Sequence, residues 1–166
     1  MTTPCITLYG DTKIIPSKDL LFRPSGYGIC IQNEAILLVK MKHTGKYFFP
    51  GGGVDKGEPV TTAVIRECQE ETGSTVSIKD FLTMKESFFY YDPLDTAFHC
   101  FNFFYIVDLI SQNDDFTNPD TDDEATEGTW IPLSTITPDM MQAFGWDIIQ
   151  MIHSYDWVSN KSNQSS

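Results

Sequence analysis

Apolar residues fall along this chain mostly in short runs of strand length, broken by Gly, Pro, Asn and Asp, and only twice in the longer period of a helix. Gly26 to Gln32 and Ala35 to Lys42 are two such runs, and Asn33-Glu34 between them reads as the tight turn of a hairpin. His43 to Lys46 is polar and reads as a loop, after which Tyr47-Phe48-Phe49-Pro50 leads into three consecutive glycines. Those glycines permit close backbone approaches that a side chain would block. A helix is predicted from Glu58-Pro59 to Gly73, with proline and acid in its first turn and glycine as its C-terminal cap. At about 100° per residue, Val64, Ile65 and Cys68 share one arc, and Glu67, Glu70 and Glu71 share the next.

Beyond the helix the pattern returns to strands. Val76 to Ile78 and Lys85 to Tyr91 are predicted as separate ones, and Asp92-Pro93-Leu94-Asp95 as a turn. Ala97 to Leu109 is apolar enough to lie mid-sheet, buried on both faces. Asn113 to Glu127 is acidic and reads as a loop, and Gly128 to Ile131 as a short strand. Pro138 to Val158 has helical spacing, with Met141, Phe144, Ile148, Ile149 and Ile152 as its stripe. At the front of the chain, Cys5 to Tyr9 has the length of a short strand. Mixed strands with one central and one C-terminal helix predict a layered α/β or α+β domain.

Composition narrows the class. The 166 residues suffice for one domain, and 41% hydrophobic with 20% charged residues is the make-up of a folded soluble protein. A net charge of −12 opposes the backbone of polymeric DNA or RNA, whose binding needs Lys and Arg. No stretch has the length of a membrane span. The start, MTTPCITLYGD, lacks the basic patch and apolar run of an export signal, so the cytoplasm is the expected compartment. Cys5, Cys30, Cys68 and Cys100 form no CxxC pair and His43, His99 and His153 no cluster, which argues against zinc and for reduced thiols.

The glutamate arc is the chemical oddity. Like charges three and four apart on a helix cost about 0.2–0.5 kcal/mol per pair. A hard divalent cation with oxygen ligands, shared with substrate phosphates, would offset that cost.

The spacing of Gly52, Glu58, Arg66-Glu67, Gln69, Glu70-Glu71 and Gly73 resembles the Nudix box, the signature of the Nudix hydrolase family. Two apolar positions of the pattern differ: Cys68 holds one, where a buried thiol packs much as an aliphatic does, and Ser74 the other, with Val76 as a substitute contact. The resemblance implies an α/β/α sandwich with a mixed central sheet over residues 23–158, preceded by an extension at 1–22 and followed by a disordered tail at 159–166. It also implies cleavage of a diphosphate linkage, by water, in a nucleoside diphosphate joined to another group, with Mg²⁺ or Mn²⁺ as cofactor. Glu67, Glu70, Glu71 and the Gly52 carbonyl would be metal ligands. Glu58 and Arg66 would tie the loop to the helix.

Other roles stay open on the sequence. Glu70 and Glu124 are alternative proton acceptors for the attacking water, with Asp122, Asp123 and Glu127 close enough to compete. Tyr90 and Tyr91, in an aromatic run with Phe88 and Phe89, are candidates to contact a base, although alternate strand residues face a core. Lys40, with Lys42 and Lys46, is a candidate phosphate contact. A SQPWPFP array, as in NADH-cleaving members, is absent. The expected activity is that of a MutT-like nucleoside triphosphate pyrophosphohydrolase; the alternatives are a dinucleoside-polyphosphate or nucleotide-sugar hydrolase, or a sensor that binds nucleotides without cleaving them. Family relatives are often dimers, which leaves a homodimer open.

Overall fold

The computed structural model describes residues 1–113, 116 and 125–155. Within them the strands are β1 (Thr2–Thr7), β2 (Thr12–Pro16), β3 (Leu21–Gln32), β4 (Ala35–Met41), β5 (Tyr47–Phe48) and β6 (Gly51–Gly53). Helix α1 (Val60–Thr72), strands β7 (Ser74–Tyr91), β8 (Thr96–Gln112) and β9 (Ala125–Pro132), and helix α2 (Gly145–Ser154) complete the order. Among the described residues nine strands form one sheet in the order β2-β1-β7-β8-β3-β4-β5, with β6 on β3 and β9 on β4. It is mixed: β3 runs parallel to β8 from Leu21↔Phe98 to Cys30↔Val107, while β7 and β8 are antiparallel.

Strand alternation splits the core into two layers. Ile29, Ile36, Leu38, Phe104 and Ile106 pack with Ile148, Ile149 and Ile152 of α2, whereas Cys30, Leu37 and Val107 pack with Val64 and Cys68 of α1. This is an α/β/α sandwich. Helix α1 lies unusually close to the sheet, because a Cβ at Gly28 would come 2.7 Å from Cys68 Sγ and one at Gly26 2.8 Å from a Val64 methyl. Cys68 and Val76 share that layer. Burial pushes the thiols up, that of Cys30 to about 11, so all four free cysteines behave as packing groups.

The structure departs from the sequence pattern in four places. Val76 to Ile78 and Lys85 to Tyr91 belong to one strand, β7, whose register shifts at Thr75/Val76, Ile78/Asp80 and Phe81/Thr83 absorb the polar interruption. The C-terminal helix starts at Gly145, because the preceding residues are claimed by the sheet. Met141 bridges Tyr47, the Gln142 N–H donates to the Tyr47 carbonyl at 2.8 Å, and Ala143 adopts φ +48°. Strand β8 is buried along one face, while on the other Phe101, Phe103 and Tyr105 stay half-buried, Tyr105 at the margin of the α1 layer. The N-terminal piece is a hairpin, and β1 joins the sheet parallel to β7 through Ile6↔Phe89 and Thr7↔Tyr90. The tail at 159–166 lies outside the described residues. No helix among the described residues is long and apolar enough to cross a membrane.

The hairpin turn matches its pattern. Asn33 and Glu34 take φ +50° and +61°, the left-handed pair that suits a two-residue loop between twisted strands.

Candidate active site

Strand β6 and helix α1 build the site between them. Ser25↔Gly53, Gly26↔Gly52 and Tyr27↔Gly51 pair β6 with β3. The Gly51 N–H donates to Glu71 Oε2 at 2.8 Å, which anchors the helix end of the site to the glycine strand. At Gly52 a Cβ would lie 2.8 Å from Glu67 Oε1, so only glycine leaves that carboxylate its place beside the Gly52 backbone. The helix itself opens after Pro59, which caps it through backbone bonds from Thr62 and Ala63, and closes on Gly73 at φ +67°.

Arg66 organises the acids. Its Nε and Nη2 donate to the two oxygens of Glu58 at 2.9 and 3.0 Å, its Nη1 to Glu67 at 2.9 Å and Glu70 at 3.0 Å, and its Nη2 also to the Gly53 carbonyl at 3.3 Å. The guanidinium is thus the partner that offsets the charge of this helix face in the protein alone. Glu58 in turn accepts from the Asp55 N–H at 3.1 Å and closes the loop between β6 and α1. Among the described residues no three acidic, imidazole or thiol side chains converge on one point. Glu67 and Glu70 are drawn to Arg66 and Glu71 to Gly51.

The Arg66 guanidinium, and after it the Asp55 N–H, hold the Glu58 carboxyl below its ordinary 4.5, and the same contact raises Arg66. A depressed carboxylate stabilises the fold above its unfolded pKa and loses that contribution as pH falls through the lowered value. The midpoint of chemical denaturation is expected to hold from about pH 7 to about pH 5 and to decline below the ordinary carboxylate range. Replacing Glu58 with Gln should remove part of that decline, and an unchanged acid limb would contradict it.

Two adjoining cavities share Leu8, Phe89, Gln142 and Ala143. The inner one, about 130 Å³, is walled by Tyr27, Phe48 and Phe144 and edged by Arg23 and Asn102. The outer one, about 550 Å³, is bounded by Ile6 to Gly10, by His43, Thr44 and Lys46, and by Pro138 and Met141. Arg23 connects the inner cavity to the acids: a Cβ on Gly53 would lie 3.7 Å from its Nε, and its guanidinium sits over the Phe98 ring at 5.2 Å. Tyr27 is half-buried between Phe48 and Phe104, and desolvation there raises its phenol to about 12 against the opposing pull of Arg23.

The structure therefore brings together Gly52, Glu58, Arg66, Glu67, Glu70 and Glu71. It puts the other candidates elsewhere. Tyr90 packs with Cys5 and Ala97, donates its phenol to Asp95 and carries Lys13 Nζ 3.6 Å above its ring. Tyr91 is buried with its ring edge-on to His43 at 6.5 Å, and Lys40 is exposed on β4 opposite Tyr47. Of the aromatic run it is Phe89 that reaches the cavities. Glu124, Asp122 and Asp123 lie outside the described residues, as does the Glu127 side chain. Arg23, Asn102 and Gln142 had no motif to mark them. For Asn102 a signal existed, since an amide in the middle of AFHCFNFF is a polar group that burial obliges to find partners.

A family model described as the NUDIX domain matches residues 22–152. The chain belongs to the Nudix family. It is 36% identical over 86 residues to a protein of Methanocaldococcus jannaschii named ADP-ribose pyrophosphatase, an overlap of 50% of this chain and 48% of that one. A Caenorhabditis elegans relative is 28% identical over 124 residues, or 72% of this chain and 30% of its own length. The chain thus spans less than half the length of these two relatives. Among solved structures, a NUDIX hydrolase from Nitrosomonas europaea superposes with a TM-score of 0.65 at 19% identity, over 81% of this chain and 90% of that chain. The likeness is one of fold.

Proposed function

We propose that this protein hydrolyses the diphosphate linkage of a nucleoside diphosphate joined to a second group. The observation that carries the reading is a single glycine strand, β6, held on one side by Arg66 and Glu71 and lying on the other beside Arg23 of the inner cavity. A substrate whose base enters the inner cavity has its phosphates led along that strand to the carboxylates. The outer cavity, larger and edged by His43 and Lys46, suits the second group. The name of the archaeal relative agrees with such a substrate. A nucleoside triphosphate, the simpler MutT-like case, is the second reading.

Nudix hydrolases generally use divalent metal ions, and the donors here fit one. Three carboxylates share a helix face, and the side-chain-free Gly52 leaves room at Glu67. Glu67, Glu70, Glu71 and the Gly52 carbonyl would hold it. When bound, such an ion neutralises phosphoryl oxygens and acidifies a ligated water. The chain's own residues do the rest. Arg66 and Glu58 set the carboxylates in place, and partners of this kind are typically worth about 10–100-fold in metal affinity or activity. Glu70, more than half exposed, is free of the packing that fixes Glu67 and serves as acceptor for the proton of the attacking water.

The test is a panel of ADP-ribose, nucleotide sugars, dinucleoside polyphosphates and nucleoside triphosphates, assayed with Mg²⁺ and Mn²⁺. The expected result is the highest kcat/KM on a nucleoside diphosphate bearing a second group. Turnover confined to triphosphates would select the second reading, and binding with no turnover of any would leave a sensor.

A further inference from the structure

We infer that Asn102 reads the base, its Oδ1 accepting a hydrogen bond from an exocyclic amine. The inference rests on the inner cavity being the nucleoside's site, as proposed above. Asn102 is only 4% exposed and lies on β8 directly opposite Lys85 of β7. Its Nδ2 donates twice, to the Lys85 carbonyl at 3.0 Å and to Ser87 Oγ at 3.1 Å. The Lys85 carbonyl can only accept, so the amide nitrogen must face β7 and cannot exchange places with the oxygen. Among the described residues Oδ1 accepts from no partner, and the side chain borders the inner cavity.

Gln142, the other amide there, already has a partner at each end. It accepts from Thr44 Oγ1 at 2.8 Å and donates to the Leu8 carbonyl at 3.2 Å. Arg23 offers only donors. The cavity therefore presents aromatic walls and, in Asn102 Oδ1, an oriented acceptor that makes no other hydrogen bond among the described residues. A flat heterocycle with an N–H₂ group complements it, whereas a base with a carbonyl at that point would place two acceptors face to face and strip the amide oxygen of water without pairing it. Adenine, cytosine and guanine carry such an amine, and hypoxanthine and uracil do not.

The experiment measures binding of matched nucleoside monophosphates, AMP against IMP, GMP against IMP and CMP against UMP, by calorimetry on the full chain. Monophosphates have no diphosphate to cleave, so the outcome is independent of whether the proposed hydrolysis is found. The wild-type protein is expected to favour the amine-bearing member of at least one pair by about tenfold or more. In Asn102→Leu that preference should fall to near parity, with both members still bound. The wild-type ratio alone keeps the inference falsifiable if the variant misfolds. Equal binding within every pair, binding by none, or a preference that survives in a folded Asn102→Leu protein would each overturn it. Hydrolysis without base preference would refute Asn102 alone, and base preference without hydrolysis would refute the proposed reaction alone.

Discussion

The Glu70→Gln variant is expected to melt at the temperature of the wild type and to lose about 10²–10⁴-fold in kcat. The two halves of that expectation come from different features. Glu70 is 57% exposed, and a glutamine of the same shape still offers Arg66 Nη1 an oxygen, so the fold loses little. What disappears is a carboxylate able to take a proton. The comparison with Glu67→Gln is informative, because Glu67 is 16% exposed and wedged beside Gly52, and its loss should show in stability as well as in turnover. Steady-state kinetics on the preferred substrate, with a thermal melt of each protein, separates the two. Wild-type turnover in Glu70→Gln would remove Glu70 from the reaction.

The largest structural effect is expected at Gly51. A methyl group there would lie 2.2 Å from the Gly26 carbonyl oxygen and 2.7 Å from Tyr27 Cα, both backbone atoms of the neighbouring strand, and φ at Gly51 is +149°. No rotamer change relieves contacts with backbone. Strain of about 1–3 kcal/mol from the dihedral adds to a similar cost of overpacking, so Gly51→Ala should lose on the order of 3–5 kcal/mol. Denaturant titration should show a strongly lowered midpoint or no folded baseline. Gly57→Ala is the control: its φ is +85° but the space around it is open, so only the dihedral cost applies. Equal stability of the two variants would mean that β6 does not approach β3 as closely as described.

Much of the reaction centre was legible because it is continuous in sequence. Gly52 to Gly73 encodes turn, cap and helix face locally, and the helix follows from proline at its start and glycine at its end. Even the electrostatic oddity was visible, although its first compensator was not: Arg66 was read as a tie for the loop, and it also meets Glu67 and Glu70. The errors have one source, which is that pairing between distant strands overrides local period. Met141 and Gln142 follow a helical pattern yet are taken by Tyr47, and β7 continues through Lys79 and Asp80 because β8 offers it a long partner. The tyrosines illustrate the same limit. Nothing local tells Tyr90 to seek the N-terminal hairpin while Phe89, one residue away, turns to the cavities.

The cavity behind β6 has a different kind of origin from the helix in front of it. Its walls come from Leu8 of the N-terminal segment, from β3, β4, β5, β7 and β8, and from the corner at Gln142–Phe144. Leu8 precedes residue 22, where the family match begins. Mutations in these separate segments can therefore reshape what the cavity accepts without altering a codon of α1. Inheritance of the chemistry and divergence of the diet are separable here, and a chimera that exchanges only the hairpin before residue 22 should inherit the donor's taste in substrates along with the recipient's reaction.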